Sequence, residues 1–194
     1  MSGGGIWNRA PEGEQPSPAP APGGAEPAQA PGRWLLFDWG GTLMRVFPEY
    51  SGPMAAWPRV EALPGAVETL AALRGRWSLA LATNAADSGE EEIRQALRRA
   101  GLDGYLERIY GYRKTGYMKP APGFFSYILQ DLGISPQQAV MVGDDYEVDV
   151  RGAVRSGLRA VWLNVRSSPE EASIMVRTIS SLPELPGALA DFEA

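Results

Sequence analysis

An open, doubly wound α/β sheet, parallel and covered by helices on both faces, is the fold class this sequence predicts, and three observations predict it. From Arg33 onward short, nearly continuous apolar runs recur, segments with the spacing of amphipathic helices lie between them, and 194 residues with 44% hydrophobic content suit one domain with a proper core. Strands buried on both faces lose the polar alternation of half-exposed ones. Their regular alternation with helices favours parallel order.

Residues 1–32 hold seven prolines, seven glycines and many alanines, with almost nothing to bury. Such a segment cannot offset its ordering entropy, so a flexible extension is expected there and one domain over residues 33–194. The apolar runs place strands at 34–38, 77–83, 108–111, 139–143 and 159–164. A helix over 90–100 puts Ile93, Ala96, Leu97 and Ala100 on one face. Ser88 and Glu91 are spaced as its capping box, and Gly101 stops it. A second helix starts near Pro122 and turns Phe125, Ile128, Leu129 and Leu132 inward before Gly133. A third, over about 147–156, presents Val150, Ala153 and Val154 to the core.

Composition narrows the chemistry. The chain has no cysteine, which excludes disulfides and thiolate metal sites, and no histidine, which removes the commonest general base. A metal must then be held by oxygen, which points to hard cations such as Mg²⁺. The net charge of −5 supplies no broad basic field for nucleic acid. No apolar stretch reaches the length of a membrane span and the N-terminus lacks a secretory pattern, so the expected location is the cytoplasm.

In doubly wound sheets ligands bind at the carboxyl ends of the strands, so the strand ends are where function should lie. The first run ends in Asp38-Trp39-Gly40-Gly41-Thr42, a carboxylate followed by two glycines whose backbone can approach an anion closely. The second ends in Thr83-Asn84, a hydroxyl and an amide beside the same crevice. Lys119-Pro120 sets one ammonium just before a helix start; a lone lysine is more often a solvated surface residue. The fourth run ends in Gly143-Asp144-Asp145, with Asp149 beyond. Adjacent carboxylates leaving an apolar strand repel each other unless something positive binds them, which makes this segment the most informative.

In their order and spacing these four segments resemble the signature motifs of the haloacid dehalogenase-like hydrolases, over about residues 33–186. The resemblance implies that Asp38 is a nucleophile that becomes an aspartyl phosphate. It implies that Thr83 and the amide of Asn84 bind the transferring phosphoryl oxygens, and that Lys119 balances charge on nucleophile and phosphate. Asp38, the Gly40 carbonyl and Asp144 would hold Mg²⁺, with Asp145 and Asp149 in a supporting acidic shell. Electrostatics require a cation independently: four carboxylates around one lysine would repel a phosphate dianion, and a divalent ion reverses that. The expected partner is a phosphorylated substrate, small or macromolecular, with neither nucleic acid nor membrane.

One departure matters. Phosphatases of the family usually carry a second aspartate two residues after the nucleophile, as acid and base; here that residue is Gly40. Its loss removes a contribution of about 10² to 10⁴ in rate, so turnover should depend steeply on leaving-group acidity. Carbon–phosphorus and carbon–halogen hydrolases of the same superfamily also lack it, as would a non-catalytic phosphate or metal binder. The carbon–phosphorus and carbon–halogen enzymes use a helical cap after the first motif. Only 40 residues separate Thr42 from Thr83, and those from Pro64 on are needed for a helix and the second strand. The expectation is a nearly capless, open site with one small lid, the aromatic loop of Phe47, Tyr50 and Trp57.

Overall fold

A computed structural model describes residues 32–165, 173–190 and 192. Apart from Gly32, the expected tail lies outside the described residues. Six strands, β1 (Trp34–Phe37), β2 (Ser78–Ala82), β3 (Arg108–Tyr110), β4 (Ala139–Gly143), β5 (Arg159–Leu163) and β6 (Val176–Ile179), form one sheet in the order β3-β2-β1-β4-β5-β6. Every pairing is parallel. The doubly wound α/β fold is therefore present, with β1 and β4 adjacent at its centre where the strand order reverses.

The five predicted strands are present to within a residue or so at their ends. The sixth went unpredicted because Val176-Arg177-Thr178-Ile179 buries only its first and last residues, which leaves no continuous apolar run at this sheet edge.

Alternation within each strand builds the two faces. Leu35, Phe37, Leu79, Leu81, Val140 and Val142 enter one core, together with residues of α1 (Ala66–Leu73), α2 (Glu90–Arg99) and α6 (Leu185–Ala190). Trp34, Leu36, Ala80, Ala82 and Met141 enter the other, under α4 (Pro122–Leu132) and α5 (Gly152–Arg155). A sheet covered on both faces in this way exposes its backbone only at strand ends and edges, which is why chemistry collects there.

Local expectations fared unevenly. In α2, Ile93, Ala96 and Leu97 are buried, and Gly101 follows at φ 76°. The capping box, however, lies one residue later than expected: the Glu92 carboxylate accepts from the Gly89 backbone N–H at 2.6 Å, while the Ser88 hydroxyl donates to Asp87. A glycine at the cap left no side-chain signal in the sequence. In α4, Phe124 joins Phe125 and Ile128 in the core, and Leu129 and Leu132 are only partly buried. The helix expected over 147–156 is a π-helical segment, Tyr146–Arg151, running into α5, which follows β1 to β4 and the short helix α3 (Tyr112–Thr115) in the chain. Between β1 and α1 the chain makes a loop with one 3₁₀ turn, Met54–Ala56, and no inserted cap domain. Among the described residues no helix is long and apolar enough to cross a membrane.

Candidate active site

β1 and β4 run side by side in register, Phe37 opposite Val142, so the residues that follow them emerge together. The Asp38 backbone N–H continues the ladder to the Val142 carbonyl at 2.9 Å. The result is that the acidic groups of Asp38, Asp144 and Asp149 come within 4.8 Å of one another. Residues 38 and 144 were expected to share an oxygen-lined hollow, and they do: a cavity of about 280 Å³ is lined by Asp38, Gly40, Asn84, Lys119, Asp144, Asp145 and Asp149.

Two glycines let these carboxylates come so close. A Cβ on Gly41, whose φ is 87°, would stand 2.4 Å from Asp144 Oδ2, and a Cβ on Gly143 would stand 2.2 Å from Asp149 Oδ2. Neither position has room for a side chain.

Lys119 is not a surface lysine. Its side chain is 1% exposed, and Nζ bridges Asp38 Oδ1 at 2.6 Å and Asp149 Oδ1 at 2.7 Å. Burial alone would lower its pKa, but the two carboxylates outweigh burial and hold it above the ordinary lysine value. Asp149 is held in turn by the Asp145 backbone N–H at 3.2 Å. Burial pushes its carboxyl above the usual range, the charge of Asp38 adds to this, and Lys119 opposes both. The π-helical turn sets the direction of Asp149: Val150 N–H reaches back five residues to the Asp145 carbonyl at 3.4 Å, as Asp149 N–H reaches back four at 2.9 Å.

Asp144 is half-buried. Burial and the neighbouring Asp38 charge raise its pKa, against the hydrogen bond that the Thr42 hydroxyl donates to Asp144 Oδ1 at 3.0 Å. Thr42 is fully buried, and the sequence reading gave it no role. Trp162, on β5, donates its indole N–H to the Asp144 carbonyl at 3.0 Å.

Two expected residues are placed differently from the simplest expectation. The side-chain amide of Asn84 is engaged with the Lys119 backbone, donating to its carbonyl at 2.9 Å and accepting from its N–H at 2.7 Å. It therefore orients the lysine segment across 35 residues of sequence, and only its backbone remains for a phosphoryl oxygen. Asp145 is exposed, and its Oδ1 accepts from the Val148 N–H at 3.0 Å, capping the π-helical segment. Thr83 stands at the end of β2, 5% exposed, with Oγ1 accepting from the Ala85 N–H at 3.2 Å.

The donors fit a hard divalent cation. Two carboxylates, Asp38 and Asp144, face one hollow without histidine or thiolate, and the one ammonium there is already shared between Asp38 and Asp149. Asp144 is left with a raised pKa and the Thr42 hydroxyl, the environment of a carboxylate that lacks a positive partner.

A second hollow, of about 360 Å³, also reaches Asp38, and its lining includes Gly40, Val46, Met54, Trp57, Thr83 and Asp87. The aromatic loop expected as a small lid lies beside it, with Trp57 in its lining. Phe47, Tyr50 and Trp57 pack on one another with centroids 5.5 to 6.4 Å apart, and Trp57 Nε1 donates to the Gly52 carbonyl at 2.9 Å. Phe47 and Trp57 are each 8% exposed. The cluster anchors the loop, and what faces the hollow is its apolar wall.

The family model described as haloacid dehalogenase-like hydrolase matches residues 40–157. The pyrimidine 5'-nucleotidase YjjG of Escherichia coli is 36% identical over 125 residues, covering 63% of this chain and 54% of that protein. The phosphoserine phosphatase of Thermus thermophilus is 38% identical over 109 residues, covering 56% of this chain and 43% of that protein. The chain thus spans about half the length of the curated relatives it matches. A crystal structure of an uncharacterized protein from Listeria monocytogenes serotype 4b superposes with a TM-score of 0.71 at 29% identity, covering 83% of this chain and 98% of that one.

Proposed function

The chain belongs to the haloacid dehalogenase-like hydrolases, and on that premise we propose that it is a Mg²⁺-dependent phosphatase acting on phosphate monoesters or acyl phosphates through an aspartyl phosphate on Asp38. The observation that carries this reading is the convergence of Asp38, Asp144 and Asp149 within 4.8 Å, with Lys119 buried between two of them. The family match begins at residue 40, so the role of Asp38 rests on this geometry.

In the proposed reaction a carboxylate oxygen of Asp38 attacks phosphorus while the bond from phosphorus to the leaving oxygen breaks, and the leaving group departs with the electron pair. Water then attacks the aspartyl phosphate, releasing inorganic phosphate and restoring the carboxylate. Lys119 pairs with Asp38 and offsets negative charge that grows on the transferring group. Thr83 and Asn84 line the hollow at Asp38, where the Thr83 hydroxyl and the Asn84 backbone N–H would donate to phosphoryl oxygens, and the Asn84 side chain fixes the lysine segment. Asp38 and Asp144, with the Gly40 carbonyl, would hold Mg²⁺, which when bound supplies charge neutralisation for the phosphoryl oxygens. Asp149 holds Lys119, and Asp145 caps the segment that presents Asp149.

Gly40 supplies no proton, so an acidic leaving group is favoured. Hydrolysis of 4-nitrophenyl phosphate, measured with and without Mg²⁺ in the parent and in Asp38→Asn, tests the reading. Activity should require both the metal and the carboxylate; hydrolysis indifferent to both would leave a non-catalytic binder as the better account. Across phosphate esters, the rate should fall steeply as the leaving-group pKa rises.

A further inference from the structure

Gly40 sits where family phosphatases place a carboxylate, and here other side chains already occupy that space. A Cβ on Gly40 would stand 3.0 Å from Val46 Cγ2 and 3.2 Å from Met54 Cε. Contacts that short are tighter than most Cβ contacts, so a side chain at residue 40 would push Val46 and Met54 aside by a few tenths of an ångström.

That loop is fixed from several directions. Met44 bridges Ala62, Trp57 packs with Phe47 and Tyr50, and the Arg99 guanidinium on α2 donates to the carbonyls of Ala55 at 2.9 Å and Pro58 at 3.2 Å. The apolar side chains therefore form a standing wall of the hollow of about 360 Å³ that opens on Asp38 and Thr83. Its size lies at the lower end of the range of about 300 to 1,000 Å³ usual for small-molecule sites. A small organic group fits; a folded macromolecule would have to present one.

We propose that this hollow is the leaving-group pocket and that it selects aryl phosphates, whose phenolic group packs on Val46, Met54 and Trp57. The inference rests on the phosphatase reading and deepens it. Two features of the pocket agree on this chemistry. A flat apolar group gains by leaving water for the Val46, Met54 and Trp57 wall, and a phenol departs as a stabilised anion without the proton donor that position 40 lacks. Asp87 at the same hollow adds a carboxylate that repels an anionic substituent on the leaving group. Phosphorylated acids are thereby disfavoured.

The test compares kcat/KM for 4-nitrophenyl phosphate and acetyl phosphate, both with Mg²⁺, in the parent, Val46→Asn and Met54→Ala. The two substrates differ in the acidity and in the apolar surface of the leaving group, and the acidity difference cancels when their ratio is compared between parent and variants. Each substitution should lower the aryl-to-acetyl ratio about tenfold from its parental value, chiefly through KM. Val46 is 50% exposed, so Val46→Asn should keep the parental melting temperature even if Met54→Ala does not. An aryl-to-acetyl ratio unmoved in Val46→Asn would overturn the pocket while leaving the phosphatase reading intact. Absence of Mg²⁺-dependent turnover on both substrates would remove that reading and the pocket with it.

Discussion

Thr42 occupies the most consequential position that the sequence reading left without a role. Its hydroxyl is the side-chain donor to Asp144, and it acts against the burial and the Asp38 charge that make ionised Asp144 unfavourable. In Thr42→Val the shape survives and the donor does not, so Mg²⁺ affinity should drop about 10- to 100-fold with the fold intact. Calorimetric titration with Mg²⁺ measures this directly; an unchanged affinity would show that Thr42 only packs. Asn84 makes the same point about legibility. Its place after a predicted strand was readable, yet its side chain turns to the Lys119 backbone, 35 residues away, and no local pattern encodes that direction. Lys119 is the reverse case. A lone lysine reads as a surface group, and only the two carboxylates that flank it account for its burial.

Elements are recovered where their own composition sets them and missed where a neighbour does. The central strands carry unbroken apolar runs because both faces are covered, so they were legible. β6 was not, because a half-exposed edge strand needs only Val176 and Ile179 inside. After β6 the chain is turned by Glu184, whose carboxylate accepts from the Ser180 N–H at 3.1 Å, the Ser180 hydroxyl at 2.6 Å and the Ser181 hydroxyl at 2.7 Å. These bonds hold its pKa below the ordinary glutamate value. A depressed carboxyl stabilises the fold above the unfolded pKa, and that contribution disappears as pH falls through the folded one. Removing the largest cause in Ser180→Ala should move the Glu184 midpoint upward, as read by NMR titration of its side-chain carboxyl. A midpoint that stays put would assign the depression to other groups.

For the whole molecule, the proposed metal site links stability to Mg²⁺ through Asp144. The Asp144 carboxyl binds its proton more tightly in the fold than outside it, so its ionised form at neutral pH works against folding. Mg²⁺ binding only to the folded state should therefore raise the melting temperature, by the equivalent of about 2.7 kcal/mol at 100 times the dissociation constant. Asp144→Asn should melt higher than the parent in EDTA and respond little to Mg²⁺. Thermal melts of both proteins in EDTA and in Mg²⁺ decide it; a variant that melts lower without metal would mean that Asp144 is structurally supportive rather than frustrated.

By itself the sequence determined the α/β class, the central strands, the order of the four motif segments and the oxygen-only character of any metal site. These follow from composition and from short-range periodicity, because burial on two faces and the choice of donor atoms are written residue by residue. Tertiary structure alone decided which groups meet. It placed Lys119 between Asp38 and Asp149, aimed Thr42 at Asp144, turned Asn84 to the lysine segment, and brought Val46 and Met54 over Gly40. Contacts across tens of residues depend on sheet order and on the path of a loop, and neither has a local signature in the chain.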